Sequence, residues 1–220
     1  MMLTETYPAV YPDIEPTGVV WQPRSVSDVC AELQQHRPPG GRLVVAVDGH
    51  SGSGKTTVAA ALASGIAGAT VIHTDDIAWH HSFFGWHHLL IEHLLEPFHD
   101  GLLPISYTPR AWTERGRLGC IAIPAATTTV IVEGVGAAAT ESRRLLDAVV
   151  WVHASEQVGR DRVIARGVDS QEFIDDWMSQ ENAFLADQRP WEQAALWVAG
   201  DDPQSCQAGR LVSAAGPVIR

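Results

Sequence analysis

The sequence is poor in lysine and asparagine, and each scarcity excludes a class of protein. Lysine and arginine together number 15 in 220 residues, Lys55 is the only lysine, and the formal net charge is −11. Because there is no basic run, we expect no binding to nucleic acid or to an anionic membrane. Asn182 is the only asparagine. The Asn-Lys-x-Asp motif with which GTPase switches read guanine therefore cannot be formed.

Cysteines and long apolar runs are also scarce. The three cysteines, Cys30, Cys120 and Cys206, are odd in number and far apart, which argues against a disulfide framework. No apolar run is long enough to span a bilayer, and no signal peptide is recognisable. With 45% hydrophobic and 19% charged residues, the composition predicts one soluble, cytoplasmic domain over residues 1–220 with a small-molecule partner. It leaves a homo-oligomer open.

The clearest motif is GHSGSGKTT, which fits G-x-x-x-x-G-K-[ST] completely and contains the only lysine. A buried-type strand at 43–47 precedes it and a helix-forming run at 57–66 follows, as a P-loop requires. Its glycines let successive N–H groups point at phosphate oxygens, and the helix start adds a positive dipole end. The predicted ATP-binding residues are Gly49, His50, Ser51, Gly52, Ser53, Gly54, Lys55, Thr56 and Thr57. Lys55 would reach the β- and γ-phosphates, and the Thr56 hydroxyl would bind Mg²⁺.

Two acidic residues, Asp75 and Asp76, directly follow a short β-branched strand at 70–73. In an open α/β sheet, ligands bind beyond the carboxyl ends of the strands, so these carboxylates fall on the same rim as the P-loop. A hydroxyl acceptor needs a carboxylate to orient it and take its proton. We favour Asp75 as this base and Asp76 as a substrate contact. The alternative is that one of the pair only caps the next helix.

A third acidic residue, Glu133, ends the strand predicted at 127–132. An acidic residue at the tip of a buried strand facing a P-loop orients Mg²⁺ and its waters. The predicted metal-binding residues are therefore Thr56 and Glu133.

Residues 77–118 are rich in aromatic rings, histidines and arginines, a mixture suited to a planar or anionic acceptor. We call these residues the acceptor segment. The predicted substrate contacts in it are Trp79, Tyr107, Arg110 and Arg115. Its histidines lack the spacing of an H-E-x-x-H metal motif, so neutral surface or core histidines are favoured over a metal site. The leucines at helical spacing between residues 86 and 95 indicate core.

An arginine-rich helix is predicted over residues 156–170, after a strand at 148–153. Arg162 and Arg166 share one face of it, and Arg160 does not. The favoured interpretation is a lid in which Arg162 and Arg166 act in catalysis and Arg160 binds the nucleotide. The alternative is a solvated arginine surface.

The termini carry weaker signals. Residues 1–24 contain four prolines and no periodicity, which predicts an extended or partly disordered arm. Ser25 with Asp28 predicts the start of a short amphipathic helix that ends before residue 40. A final strand is expected around Leu211 and Val212.

The motifs together resemble the uridine kinase-like family of P-loop small-molecule kinases over residues 42–200. The segments that carry the resemblance are VDGHSGSGKTT (47–57), Asp75-Asp76, Val132-Glu133-Gly134, the arginines from 160 to 166, and ALWVAG (195–200). The resemblance implies ATP-dependent transfer of the γ-phosphate to a hydroxyl. It also implies that Asp75 is the acceptor-binding base and that the lid arginines contact the triphosphate.

The chain departs from this family's pattern at the residues that would bind the acceptor. Uridine kinases continue the aspartate with Phe-Tyr, whereas this chain has Ile77-Ala78-Trp79. They have a Tyr-Asp segment with a downstream histidine, whereas this chain has Tyr107-Thr108-Pro109-Arg110. The acceptor, a nucleoside, a nucleotide or another hydroxylated metabolite, stays open, as does ATP against GTP as donor. A nucleotide-binding regulator without catalysis is the alternative function.

The alternation of strands and helices from 42 to 200 predicts an α/β fold of three layers. We expect a P-loop NTPase fold with a mostly parallel five-stranded sheet, the P-loop strand at its centre, helices on both faces and a small helical lid.

Overall fold

The computed structural model describes residues 20–201 and 209–216, and nine strands lie in these two ranges. They are β1 (Gln22–Ser25), β2 (Leu43–Asp48), β3 (Ala69–His73), β4 (Ile105–Tyr107), β5 (Ile121–Ile123), β6 (Thr129–Glu133), β7 (Ala148–His153), β8 (Leu196–Ala199) and β9 (Arg210–Ala215). Seven of them form one sheet in the order β1-β9-β8-β7-β2-β6-β3. The other two, β4 and β5, form an antiparallel pair.

The sheet is mostly parallel, as predicted, but the predicted number of five strands is wrong. The strands β8, β7, β2, β6 and β3 are parallel, with the P-loop strand β2 in the middle of these five. Two antiparallel strands extend the edge, because β9 pairs with β8 and β1 pairs with β9. β9 confirms the final strand expected near residue 211. Residues 1–19, most of the predicted arm, and Cys206 lie outside the described residues.

Eight α-helices lie in the described ranges. They are α1 (Val26–Gln34), α2 (Lys55–Gly65), α3 (Thr74–Ala78), α4 (His87–Leu90), α5 (Glu96–His99), α6 (Arg110–Glu114), α7 (Glu156–Arg166) and α8 (Gln171–Gln188). A π-helical turn, Ile91–Leu95, joins α4 to α5, and 3₁₀ turns span Arg143–Leu145 and Pro190–Gln193. Within the described residues, no helix combines the length and the apolar character needed to cross a membrane.

Serine caps determine where three of these helices begin. Ser25 Oγ accepts the N–H of Asp28 at 3.0 Å, which confirms the predicted start of α1. Ser155 and Ser170 begin α7 and α8 in the same way. Each bond satisfies an N–H that the first helical turn would otherwise leave without an acceptor.

The core has two apolar clusters, one on each face of the sheet. On one face, Val45 packs in the cluster that contains Leu62 of α2. On the other face, Val44 packs in the cluster that contains Leu94 of the π-helical turn and Leu185 of α8. Neighbouring strand residues point to opposite faces, so the continuous apolar run of β2 is buried on both. The predicted three layers are therefore confirmed.

The parallel register brings the carboxyl ends of the central strands to one rim. His73, at the end of β3, is aligned with Glu133 at the end of β6, and Glu133 is aligned with Val47 next to the end of β2. The P-loop and α3 both start from this rim, because each follows its strand directly.

Candidate active site

The P-loop has the backbone that its glycines predict. Gly52 and Gly54 have φ angles of 77° and 98°, in the left-handed region that favours glycine. A Cβ on Gly52 would lie 2.2 Å from the carbonyl oxygen of Gly159 in α7. Glycine at 52 is thus required both by the backbone turn and by the close approach of α7.

Lys55 closes the loop. It is the first residue of α2, is only 7% exposed, and donates from Nζ to the carbonyl oxygen of His50 at 2.7 Å. A buried ammonium is costly unless it has acceptors or anions around it. The side chain is therefore held across the loop, in the position from which a P-loop lysine would contact phosphate oxygens.

The two predicted metal-binding residues are adjacent. Thr56 Oγ1 donates to Glu133 Oε1 at 3.1 Å, and His73 Nδ1 donates to Glu133 Oε2 at 2.6 Å. A hydroxyl and a carboxylate on one rim are the oxygen ligands that Mg²⁺ prefers, and Mg²⁺ completes its shell with waters and phosphate oxygens. The donor set fits Mg²⁺. His73, which sequence reasoning missed, orients the carboxylate, and its place at a strand end was the available signal.

Asp75 lies on α3, next to this group. Desolvation by the surrounding protein raises the pKa of its carboxyl group, with Lys55 opposing the shift and Glu133 adding to it. Asp75 follows the end of β3 by two residues, and His73 at that strand end bonds to Glu133, so the predicted base lies on the same rim as the predicted magnesium residue. A raised pKa makes the carboxylate a better proton acceptor.

Asp76 has different contacts. Its carboxylate accepts a hydrogen bond from Arg117, and its carbonyl oxygen accepts the indole N–H of Trp112 at 2.9 Å. The Arg117 guanidinium lies 3.5 Å from the ring centre of Trp112 and 5.3 Å from that of Trp79. Cation–π contacts of this kind hold an arginine between two rings. Asp76 therefore anchors the acceptor segment to α3.

The other predicted substrate contacts are only partly brought to this cluster. Trp79 belongs to it, but the side chain of Arg110 is 90% exposed and pairs with Glu114. Arg115 is exposed at the C-terminal end of α6. Tyr107 stacks on His93 at a ring distance of 4.2 Å, and burial followed by Glu92 raises the pKa of its hydroxyl. Arg117, which the prediction passed over for Arg110 and Arg115, is the arginine that contacts Asp76.

The predicted lid, residues 156–170, contains α7, and α8 follows it directly. Arg162 donates to the carbonyl oxygens of Gly52 and Gly200, at 3.1 and 2.8 Å, so it already contacts the P-loop. Arg160 lies against α8, where it pairs with Asp175. Arg166 is exposed in the last turn of α7. The three arginines therefore have three different surroundings.

These surroundings predict different effects for two arginine variants. Arg162→Ala is expected to weaken ATP binding about fivefold or more and to lower kcat, because the carbonyl oxygen of Gly52 in the P-loop loses its donor. Arg166→Ala is expected to lower kcat with little change in ATP affinity, because an exposed lid side chain would meet the phosphate late. Calorimetry of ATP binding and steady-state ADP release measure the two effects.

Arg144→Ala is the matched control, since Arg144 is also an exposed arginine but lies outside α7, where it pairs with Glu96. An unchanged kcat in Arg166→Ala would return that residue to the solvated-surface interpretation.

Asp48, the last residue of β2, is a buried carboxylate to which the sequence analysis assigned no role. It accepts the N–H groups of Gly49, Gly136 and Ala138, at 2.7, 3.1 and 2.9 Å. Burial raises the pKa of Asp48 to about 6, although these N–H groups and Lys55 oppose the shift. Asp48 thus ties the P-loop to the turn that follows β6.

Two residues of α8 also contact the P-loop. Glu181 Oε1 accepts the N–H of Ser51 at 2.7 Å and lies 3.3 Å from His50 Nδ1. Trp177 Nε1 donates to Ser51 Oγ at 2.8 Å. Sequence reasoning missed both. The available signal was an acidic residue within the apolar stripe of α8 that Ile174, Met178 and Leu185 define.

Comparison with known proteins supports the fold. No family model matches the chain, and no curated protein matches it in sequence. Among solved structures, it is similar to a possible uridine kinase from Bacillus stearothermophilus, with 22% identity, a TM-score of 0.53, and coverage of 78% of this chain and 96% of that one. A candidate fructose transport system kinase from a Silicibacter species matches at 16% identity and a TM-score of 0.43, over 88% of this chain and 96% of that one. The first likeness confirms the predicted α/β fold.

Proposed function

We propose that this chain is an ATP- and Mg²⁺-dependent kinase that transfers the γ-phosphate to a hydroxyl of a small molecule. The observation that carries the proposal is the position of Asp75 on α3, two residues after His73, whose ring nitrogen bonds to Glu133 at the rim of the sheet. A base beside a P-loop lysine and a predicted magnesium-binding residue suits phosphoryl transfer to a hydroxyl, because the acceptor hydroxyl must lose its proton.

Separate groups of residues bind the phosphate donor and the acceptor. The P-loop N–H groups and Lys55 bind the triphosphate, and Thr56 and Glu133 would hold Mg²⁺, which supplies neutralisation of phosphate charge when bound. Asp75 orients the acceptor hydroxyl and takes its proton. The cluster of Asp76, Arg117 and the two tryptophans forms the acceptor side.

The charges on the acceptor side favour an uncharged acceptor. Arg117, the cation next to Asp76, already has its charge matched by that carboxylate. Asp75 adds a negative charge that would repel a phosphorylated acceptor. A nucleoside or a sugar is therefore favoured over a nucleotide. The name of the Bacillus neighbour, a possible uridine kinase, agrees with a nucleoside.

An acceptor panel tests this proposal. Nucleosides, their monophosphates and sugars are each added with ATP and Mg²⁺, and ADP release is compared with the background of ATP hydrolysis. We expect an uncharged acceptor to raise ADP release and its monophosphate to have little effect. Activity with monophosphates alone would contradict the charge argument. ATP binding without any active acceptor would favour the nucleotide-binding regulator.

A further inference from the structure

The backbone N–H and the hydroxyl of one P-loop residue, Ser51, are both bound by α8. Its N–H donates to Glu181 and its hydroxyl accepts from Trp177, and these partners lie one helical turn apart, at i and i+4. Ser51 is the third residue of the motif, within the part of the loop that surrounds phosphate. The helix therefore holds the loop at two atoms of one residue.

The charge of Glu181 is unusual for this position. The side chain is fully buried, and burial alone would raise the pKa of its carboxyl group, yet His50, Lys55 and the Ser51 bond bring the pKa below its usual range. An ionised carboxylate inside a protein is retained at a cost unless partners match it. A neutral glutamine would accept the Ser51 N–H equally well. The carboxylate thus indicates a link to Lys55, the cation of the P-loop.

The other side of Trp177 faces the acceptor segment. Its ring lies 4.8 Å from that of Phe83 in an edge-to-face arrangement and 5.5 Å from that of Phe84 in a stacked one. Phe84 also stacks on Phe184 of α8, at 4.0 Å. Such aromatic contacts give the segment a defined position on the helix. Trp177 therefore contacts the P-loop through its indole N–H and the acceptor segment through its ring.

We propose that Trp177 and Glu181 are positioning residues that couple the acceptor segment to the P-loop through Ser51. Nucleotide bound at the P-loop restricts the motion of Ser51. The Trp177 ring, which contacts Phe83 and Phe84, then restricts the motion of those two residues. The inference rests on the proposed kinase function, because it assigns residues 77–118 to the acceptor.

Hydrogen–deuterium exchange with and without Mg²⁺ and a non-hydrolysable ATP analogue tests the coupling without any acceptor. In the parent protein we expect protection of the P-loop and, in addition, of the peptide around Phe83 and Phe84. Trp177→Phe keeps a ring but removes the donor to Ser51, and Ser51→Ala removes the acceptor without changing the aromatic cluster. Each is expected to abolish the protection at Phe83 and Phe84 while the P-loop stays protected, with affinity for the analogue reduced about fivefold.

The double variant should behave like either single variant, because both remove the same bond. Glu181→Gln keeps an acceptor for the Ser51 N–H and is expected to lower kcat without weakening binding of the analogue, since a buried negative charge near the triphosphate is removed. A merely structural role would weaken both. Glu172→Gln, the same change at an exposed position of α8, should alter neither.

Three outcomes would overturn the inference. They are protection that never reaches Phe83 in the parent, protection that survives in Ser51→Ala, and additive effects in the double variant. In each of them the analogue still binds, so the kinase proposal stands. Absence of any binding of the analogue would instead overturn the kinase proposal, and the coupling with it.

Discussion

Replacing Asp75 by asparagine is expected to lower the rate of phosphoryl transfer by about 10²-fold, the usual contribution of a positioned base. Asparagine keeps the size of the side chain and one hydrogen-bond acceptor, but it cannot take the proton of the acceptor hydroxyl. Because the P-loop is unchanged, ATP affinity should be preserved. Steady-state kinetics with the active acceptor and calorimetry with ATP measure the two quantities.

Asp76→Asn is the matched control, one residue along the same helix. It should be milder, because Asp76 already has its carboxylate bound by Arg117 and acts through the acceptor segment. We expect a higher KM for the acceptor and a smaller loss of kcat. If Asp76→Asn were the crippling change and Asp75→Asn had no effect, the base would be assigned to the wrong residue.

The pH dependence gives the same test a second measurement. The pKa of Asp75 is raised, chiefly by desolvation, and the base is active only when ionised. The rate should therefore fall as the pH drops through that raised pKa. This fall should occur at a higher pH than it would for an ordinary aspartate. The acidic limb should disappear from the residual activity of Asp75→Asn. An unchanged limb would mean that another group titrates there.

Replacing Lys55 by alanine is expected to reduce turnover by about 10³-fold and to weaken ATP binding, because the only cation of the P-loop is lost. The loss should appear in kcat as well as in the Kd for ATP, since the ammonium binds the charge that develops in the transition state. Calorimetry and ADP release measure both. Equal affinity and equal turnover in variant and parent would contradict the P-loop assignment.

Lys55→Met separates chemistry from folding. Lys55 is buried and donates to the carbonyl oxygen of His50, so alanine removes packing and a hydrogen bond together with the charge. Methionine keeps most of the apolar stem. We expect Lys55→Met to match Lys55→Ala in turnover and to have a thermal unfolding midpoint closer to that of the parent. A folded but active Lys55→Met protein would exclude the charge as the cause.

The features that local sequence determines were predicted correctly. The P-loop motif needs a strand before it and a helix after it, and β2 and α2 are there. Ser25 marks a helix start because its side chain bonds to an N–H group only three residues further along. The acidic residues at strand ends reached one rim, since parallel strands end at the same edge.

Features that depend on contacts between distant segments were not predicted. A final strand was expected near residue 211, but β1 and the antiparallel pairing of both edge strands with the sheet were missed, because β1 and β9 are far apart in sequence and neither belongs to the strand–helix alternation. The sequence pattern also could not show which of three arginines in the acceptor segment contacts Asp76. Arg110, Arg115 and Arg117 are alike in type, and only the fold brings the last of them to Asp76 and Trp112.

The sequence by itself determined the phosphate-binding loop, the acidic rim and the class of fold, because each depends on short-range geometry or on the ends of parallel strands. The tertiary structure alone decided what surrounds Ser51. Its partners Trp177 and Glu181 are 126 and 130 residues away, and they meet it only because the apolar stripe of α8 packs toward the sheet. No local pattern specifies such a contact, since it follows from the burial of a whole helix face.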